Sequence, residues 1–173
     1  MSTAAGRMSA TPVKDGSGLR RIAGASGLSF SILPNGCIFA IGHRHEHGDT
    51  QINLVQGSSL DGGIGRLCLR IHAPEPEAVE AVGPGARVRF GFAADRAVWQ
   101  GATDRLRHRV TLWLHPLHPF WLWRVEVENL SPAPLSCDAL LVQDVGLGDS
   151  HPLMNNEAYA SQYLDHHVAR HRP

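Results

Sequence analysis

The amino-acid sequence predicts an all-β protein, an antiparallel β-sandwich preceded by a disordered N-terminal tail. Three observations favour this fold. Short segments alternate apolar with polar residues, glycine and proline recur between them, and no helical periodicity is convincing before about residue 154. Glycine and proline contribute 18 and 11 of the 173 residues, which predicts many turns and few long helices. Short alternating strands separated by turns are typical of a sandwich with one face of each sheet buried.

The chain length suits a single main domain. Residues 1–15 are small and polar without periodicity, so we predict that they form a disordered tail. Residues 16–153 form the predicted β-sandwich domain. Residues 154–173 form a separate C-terminal segment, whose pattern fits either a helix or an extended chain.

About ten short strands are predicted between residues 28 and 145. The first two, residues 28–33 and 37–41, flank Pro34-Asn35-Gly36, a combination that indicates a hairpin turn. Residues 74–85 contain three prolines and are predicted to be a loop. The other predicted strands cover residues 51–55, 67–72, 86–92, 97–100, 107–115, 121–129 and 135–145.

Three of the four tryptophans lie in the two longest alternating segments. Trp121 and Trp123 share the apolar side of their strand with Val125, so we expect both in the core. Trp113 falls on the side opposite Leu112, so we expect it to be exposed. An exposed indole is a suitable platform for the apolar face of a sugar ring, which makes Trp113 a candidate carbohydrate-binding residue.

Composition excludes several classes of partner. Sixteen basic and sixteen acidic residues balance, which argues against nucleic acid or an anionic membrane as partner. No apolar stretch is long enough to span a membrane, and the N-terminus lacks the apolar core of a secretory signal. Three widely spaced cysteines without a CxxC motif predict buried free thiols in a reducing compartment. We therefore expect a cytoplasmic protein.

His43, His45 and His47 form the main pattern that suggests a metal site, ahead of a weaker cluster of His166, His167 and His171. On a strand, residues two apart share a face, so three imidazoles could surround a zinc ion. The stretch runs into Gly48-Asp49, however, which favours a surface loop. We therefore expect no metal site and no cofactor. No phosphate-binding glycine loop, nucleophile elbow or HExxH motif is present in the sequence either.

Four segments of the sequence resemble a known family. They are LDGGIGRLCLR at residues 60–70, WLWRVEVENLSPAP at 121–134, QDVGL at 143–147 and NEAYASQYLDH at 156–166. Together they resemble the N-terminal region of glycoside hydrolase family 94, the inverting phosphorylases. The likeness is to the 1,2-beta-oligoglucan phosphorylase branch and to the related segment of cyclic beta-1,2-glucan synthases, and it covers roughly residues 28–170.

The resemblance implies a large antiparallel β-supersandwich followed by a catalytic (α/α)6 barrel. In that family the barrel carries the general acid and the phosphate site, and phosphate attacks the anomeric carbon with inversion. No barrel is encoded in these 173 residues, so no catalytic residue is assigned. We expect a truncated or split N-terminal module that is not catalytic alone. The family sandwich is also longer, so its sheets would be incomplete here, with open edges.

The resemblance also suggests where a sugar would bind. In a full-length relative, residues 156–166 lie where the sandwich leads toward the barrel, so their polar side chains would line the saccharide groove or join the domains. These candidates are Asn156, Glu157, Tyr159, Gln162, Tyr163 and Asp165. Gln143 and Asp144, at a strand end, follow the same reasoning. The expected partners are a beta-linked gluco-oligosaccharide and the barrel. The alternative is a stand-alone carbohydrate-binding module that uses Trp113 or residues 159–163.

Overall fold

The computed structural model describes residues 18–58, 60, 64–73 and 75–149, and within these residues the protein is all-β. The predicted antiparallel fold class is confirmed, and the described residues contain no helix that could span a membrane. The predicted tail and the C-terminal segment after residue 153 lie outside the described residues. The strands are β1 Arg20–Ala23, β2 Leu28–Ile32, β3 Ile38–His45, β4 Gly48–Gln51, β5 Gly65–Ala73, β6 Glu77–Val82, β7 Arg89–Phe92, β8 Arg96–Ala102, β9 Leu106–Leu114, β10 Trp121–Asn129, β11 Ser136–Gln143 and β12 Gly148–Asp149.

The strands form three antiparallel sheets. The first has the order β1-β2-β3-β4-β12, the second β10-β9-β8-β7, and the third β11-β5-β6. Most neighbours within a sheet are consecutive in the chain. The exceptions are β12, which returns to β4, and β11, which returns to β5. The chain between residues 136 and 149 therefore connects the third sheet to the first.

The predicted hairpin at Pro34-Asn35-Gly36 joins β2 to β3. The Leu33 amide donates to the Cys37 carbonyl at 2.8 Å, and the Gly36 amide donates to the Leu33 carbonyl at 2.9 Å. Asn35 closes the turn by accepting a bond from the Cys37 amide through its side chain, at 3.1 Å. Gly36 has a φ of +88°, a conformation that residues with a Cβ rarely adopt, which explains the glycine.

The hydrophobic core lies between the inner faces of the sheets. Phe30 of the first sheet meets Trp121 of the second edge-to-face, with ring centroids 5.4 Å apart. Trp99 is fully buried and contacts Trp123, with centroids 5.7 Å apart. Trp121 and Trp123 therefore pack against the core, as their alternation predicted. The third sheet adds the buried side chains of β5, including Leu69.

Several predicted elements were wrong. Residues 77–82 form β6 although prolines flank them, because the prolines fall before and after the strand and leave its amides free to pair. The strand predicted at residues 51–55 instead begins at Gly48 and ends at Gln51. Asn53 explains this end: its side-chain oxygen accepts a bond from the Ile41 amide at 2.7 Å, replacing the backbone partner that a longer strand would supply. β1 and β12 were not predicted.

The three cysteines differ in their surroundings. All are free thiols; Cys37 is buried, Cys68 is half-buried and Cys137 is exposed. The expectation of buried thiols is therefore wrong for Cys137. This residue lies on β11, the outermost strand of its sheet, where little of the described chain covers it.

Candidate functional site

The most unusual surface of the described residues is β11, one of the two edge strands of the three-stranded sheet. Every residue from Ser136 to Val142 is exposed, although the strand is rich in apolar side chains. Leu140, Leu141 and Val142 are 42%, 43% and 55% exposed. An edge strand of this kind offers both unpaired backbone groups and apolar area to a partner.

The strand register places these side chains on opposite faces of the sheet. Leu141 lies opposite Leu67, which is only 1% exposed, so the core face of the sheet continues onto β11. Leu140 lies opposite Cys68 and Val142 opposite Arg66, on the outward face. A strand with apolar residues on both faces is typical of a strand covered on both sides. In the described chain β11 is only partly covered on either side.

The strand before β11 in the chain, β10, also becomes more exposed toward its C-terminal end. On β10, Trp121 packs against Phe30, whereas Val127 is 43% exposed although it lies opposite the buried His108. Leu130 follows at 38% exposure. We define the β11 apolar edge as the three exposed apolar residues near the end of β11, Leu140, Leu141 and Val142.

An ion pair lies on the outward face of β11, the same face as Leu140 and Val142. Asp138 accepts two bonds from Arg70, at 2.8 and 2.7 Å, and His72 lies 3.2 Å from the same carboxylate. The bonds from Arg70, helped by His72, lower the pKa of Asp138 to about 2. The paired charges fix β11 to β5 from one side.

Asp144 has a different environment from the one its position suggested. One oxygen of its carboxylate accepts bonds from the backbone amides of Leu54 and Val55, at 2.7 and 2.8 Å. Gly146 contacts the same loop, because its amide donates a hydrogen bond to the Ile52 carbonyl at 2.6 Å. The QDVGL segment at residues 143–147 therefore ties the end of β11 to the loop after β4. Its conspicuous sequence has a structural explanation in these contacts.

Trp113 lies on the outward face of β9, opposite Arg96 and Leu122 on the flanking strands. Its ring is half-buried, and the indole nitrogen donates to Asp95 at 3.1 Å. Asp95 is also bonded by Arg96, which is the main reason why its pKa lies below the usual value. The orientation away from the core agrees with the alternation, while the sugar-binding role of Trp113 stays a prediction.

The histidine pattern does not lie in a loop as expected. His43 and His45 belong to β3 with their rings stacked 5.6 Å apart, and only His47 lies in the turn that follows. The Nε2 of His43 donates to the Ser26 carbonyl at 3.0 Å. Across the described residues, no three histidine, cysteine, aspartate or glutamate side chains are grouped closely enough to hold a metal ion.

The remaining predicted site residues cannot be placed. Asn156, Glu157, Tyr159, Gln162, Tyr163 and Asp165 all lie outside the described residues. Their role at a saccharide groove or between domains therefore stays a prediction.

Comparison with known proteins adds to this geometry. Residues 31–173 match the family described as the SOGP N-terminal domain. The chain belongs to this family. This SOGP N-terminal domain is also similar to a protein of Listeria innocua serovar 6a named 1,2-beta-oligoglucan phosphorylase, with 28% identity over 121 residues. That alignment covers 69% of the chain but only 10% of the relative, so the aligned part of the chain corresponds to about a tenth of the relative's length.

Open sheet edges were expected for this SOGP N-terminal domain, but β11 was not identified from the sequence as the exposed strand. A signal for it was present, because Leu140, Leu141 and Val142 are consecutive apolar residues rather than alternating ones. Such a run indicates a strand buried on both faces. The sequence could not show that the described chain provides no layer to bury it.

Proposed function

We propose that the chain is the N-terminal β-sandwich module of a phosphorylase-like enzyme of beta-glucan metabolism, and that it acts in the cytoplasm. The module works with a catalytic (α/α)6 barrel and has no catalytic activity alone. The relation to the Listeria innocua protein supports this proposal, since that protein is named as a phosphorylase and is about ten times longer than the aligned part. The free cysteines are compatible with a reducing compartment.

The observation that carries the proposal is the contrast between the sequence of β11 and its surroundings. Leu140, Leu141 and Val142 have the composition of a covered strand, yet each is about half exposed. Covering such a side chain completely stabilises a fold by roughly 1.5–3 kcal/mol, so covering the exposed part of each contributes on the order of 1 kcal/mol. A further layer seated on β11 would gain this energy and pair the free backbone groups.

The first test is an assay of phosphate-dependent cleavage of linear beta-1,2-gluco-oligosaccharides by the purified chain. We expect no release of sugar phosphate from these 173 residues alone, because the acid and the phosphate site of the resembling family are carried by its barrel. Turnover by the purified chain alone would overturn the proposal.

The second test measures association with a barrel. The part of the Listeria innocua protein that follows its aligned region is expressed separately and mixed with the chain, and the complex is followed by sedimentation velocity. Leu141→Asp, on the core face of β11, and Val142→Asp, on the outward face, should weaken the complex at least tenfold. Leu117→Asp is the matched control, since Leu117 is 74% exposed in the loop between β9 and β10. Equal weakening of the complex by the control would argue against β11 as the surface that contacts the barrel.

A second candidate function is a stand-alone carbohydrate-binding module. The observation that favours it is Trp113, whose indole lies on an outward sheet face near Arg96. Isothermal titration with beta-1,2-gluco-oligosaccharides, with cello-oligosaccharides as the comparison, separates the two functions. Saturable heat that Trp113→Ala abolishes would favour the binding module. A flat titration of folded protein would favour the module that depends on a barrel.

A further inference from the structure

We propose that a cleft on the outward face of the four-stranded sheet binds a small dianion with a phosphate group. The cleft is widely open to solvent, has a volume of about 950 Å³, and is lined by residues of β7, β8, β9 and β10 and of the segment before β7. We call it the arginine cleft and define it by its polar side chains: Arg87, Arg89, Gln100, Arg107, Arg109, Glu126 and Glu128. The inference is independent of the proposed function, because none of the residues that line the cleft belongs to the β11 apolar edge.

The register of the sheet brings four of these side chains into one row. Arg89 lies opposite Gln100, Gln100 opposite Arg109, and Arg109 opposite Glu126. Residues directly opposite one another point to the same face, and neighbouring strands lie about 4.8 Å apart. Arg89 and Arg109 are therefore separated by roughly 10 Å, with the amide of Gln100 between them. Two guanidinium groups at this spacing can reach one small ligand from both sides.

The floor of the cleft beside this row is made of small residues. Ala102 lies opposite Arg107 on the same face, and Gly101 precedes it. Gly101 has no side chain and Ala102 has only a methyl group, so little of the chain fills the space beside the long side chain of Arg107. This gap explains why a cleft, rather than a continuous layer of side chains, is found on this part of the sheet.

The positive charges of the cleft are only partly compensated. Arg107 forms an ion pair with Glu128. Glu126 is bonded by Arg124 at 2.9 Å and lies 4.0 Å from Arg109, so Arg109 is weakly compensated. Within the part of the chain that the structure describes, Arg87 and Arg89 have no acidic or hydrogen-bonding side-chain partner. Four arginines against two glutamates leave the cleft with a net charge of +2.

This charge and these donors define the class of ligand. A guanidinium group presents several N–H donors in a planar fork that matches the oxygens of a phosphate, and the Gln100 amide adds one more donor. A phosphate monoester or inorganic phosphate carries close to two negative charges near pH 7.5, which matches the net charge of the cleft. A neutral sugar would leave Arg87 and Arg89 without a counter-charge.

The experiment is isothermal titration of the full chain with inorganic phosphate at constant ionic strength, set with sodium chloride. A hexose 6-phosphate and the free hexose are titrated in parallel. We expect saturable binding of phosphate, with a Kd below about 10 mM. Tighter binding of the hexose phosphate would identify an ester as the ligand, whereas equal affinity would identify free phosphate. Absence of saturable binding for both phosphate compounds would overturn the proposal, as would binding of the free hexose with the same affinity.

Variants locate the binding. Arg89→Gln and Arg87→Gln should each weaken phosphate binding about tenfold, because each removes one unpaired cation from the cleft. Arg44→Gln removes the same charge from the β3–β4 hairpin of the five-stranded sheet and should change the Kd for phosphate less than twofold. Equal weakening by Arg44→Gln would mean nonspecific attraction and would overturn the site. Circular dichroism of each variant checks folding, and amide chemical shifts in β7, β8 and β9 report contact directly.

Discussion

The indole nitrogen of Trp99 donates a hydrogen bond to the carbonyl of Gly36, 3.1 Å away and 63 residues earlier in the chain. The bond joins β8 in the four-stranded sheet to the turn between β2 and β3 in the five-stranded sheet. Because both groups are buried, each would lack a partner without the other. The tight Pro34-Asn35-Gly36 turn therefore has a second role, which is to present a carbonyl to the core.

Gly36→Ala should destabilise the protein. A Cβ at this position would lie 2.7 Å from the Trp99 nitrogen, and the φ of +88° is unfavourable for alanine. We expect the free energy of unfolding to fall by about 2–4 kcal/mol, measured by urea denaturation. Gly42→Ala is the control, because a Cβ there meets its nearest atom at 3.7 Å in ordinary contact. A loss of less than about 0.5 kcal/mol at Gly36 would contradict this account of the turn.

Asp144→Ala tests the bond between the QDVGL segment and the loop after β4. The substitution leaves the amides of Leu54 and Val55 without their acceptor. We expect a loss of about 2–4 kcal/mol in thermal or urea unfolding, because hydrogen bonds to a charged group are worth about 1.5–3 kcal/mol each and water replaces part of them. Asp104→Ala changes an exposed aspartate in the β8–β9 turn and should cost less than about 0.5 kcal/mol. Similar losses of unfolding free energy in both variants would mean that Asp144 contributes no more to stability than an ordinary exposed aspartate.

The strands β9 and β10 could be predicted from the sequence because each one buries a single face. β9 alternates buried Val110 and Leu112 with less buried neighbours over its whole length, and β10 places Trp121 and Trp123 on its inner face. The hairpin at Pro34-Asn35-Gly36 was predictable for a similar reason, since the turn is determined by local backbone geometry. In these places the local sequence pattern and the tertiary structure agree.

Other features depend on contacts between distant residues and could not be predicted. β4 ends at Gln51 because Asn53 bonds to β3, and β6 exists because β5 pairs with it. The arginine cleft is a further case. Arg89, Gln100 and Arg109 come together only through the register of three strands, which the sequence of any one strand does not contain. Their positions on separate strands gave no signal of a common site.

The pKa of Asp138 gives a prediction for the edge strand. Arg70 and then His72 lower this pKa from its usual 3.8 to about 2, so the carboxylate bonds more favourably in the folded state than in the unfolded state. A lowered pKa means that this stabilisation is complete above pH 4 or so and is lost as the pH falls through about 2. Titration of the Asp138 side-chain carbonyl by NMR should show a midpoint near 2. Arg70→Gln should move the midpoint up toward 3.8; an unshifted midpoint in that variant would show that Arg70 is not the cause.

His108 is a polar residue in an apolar position, and we expect its removal to stabilise the protein. The side chain is 3% exposed on the inner face of β9, and neither ring nitrogen has a hydrogen-bond partner within the described structure. His108→Leu keeps the core filled and removes the unpaired nitrogens. We expect the free energy of unfolding at pH 7 to rise by about 1–2 kcal/mol in urea denaturation.

The same variant should also change the dependence of stability on pH. Burial lowers the pKa of His108 below its usual 6.5, so on acidification the unfolded chain takes up a proton before the folded chain does. The free energy of unfolding of the native protein should therefore fall as the pH drops below about 6.5, down to the lowered pKa of the folded state. The free energy of unfolding of His108→Leu should fall less between pH 7 and pH 5 than that of the native protein does. Destabilisation of His108→Leu at pH 7 would instead mean that bound water satisfies the ring nitrogens and that the histidine contributes to the core.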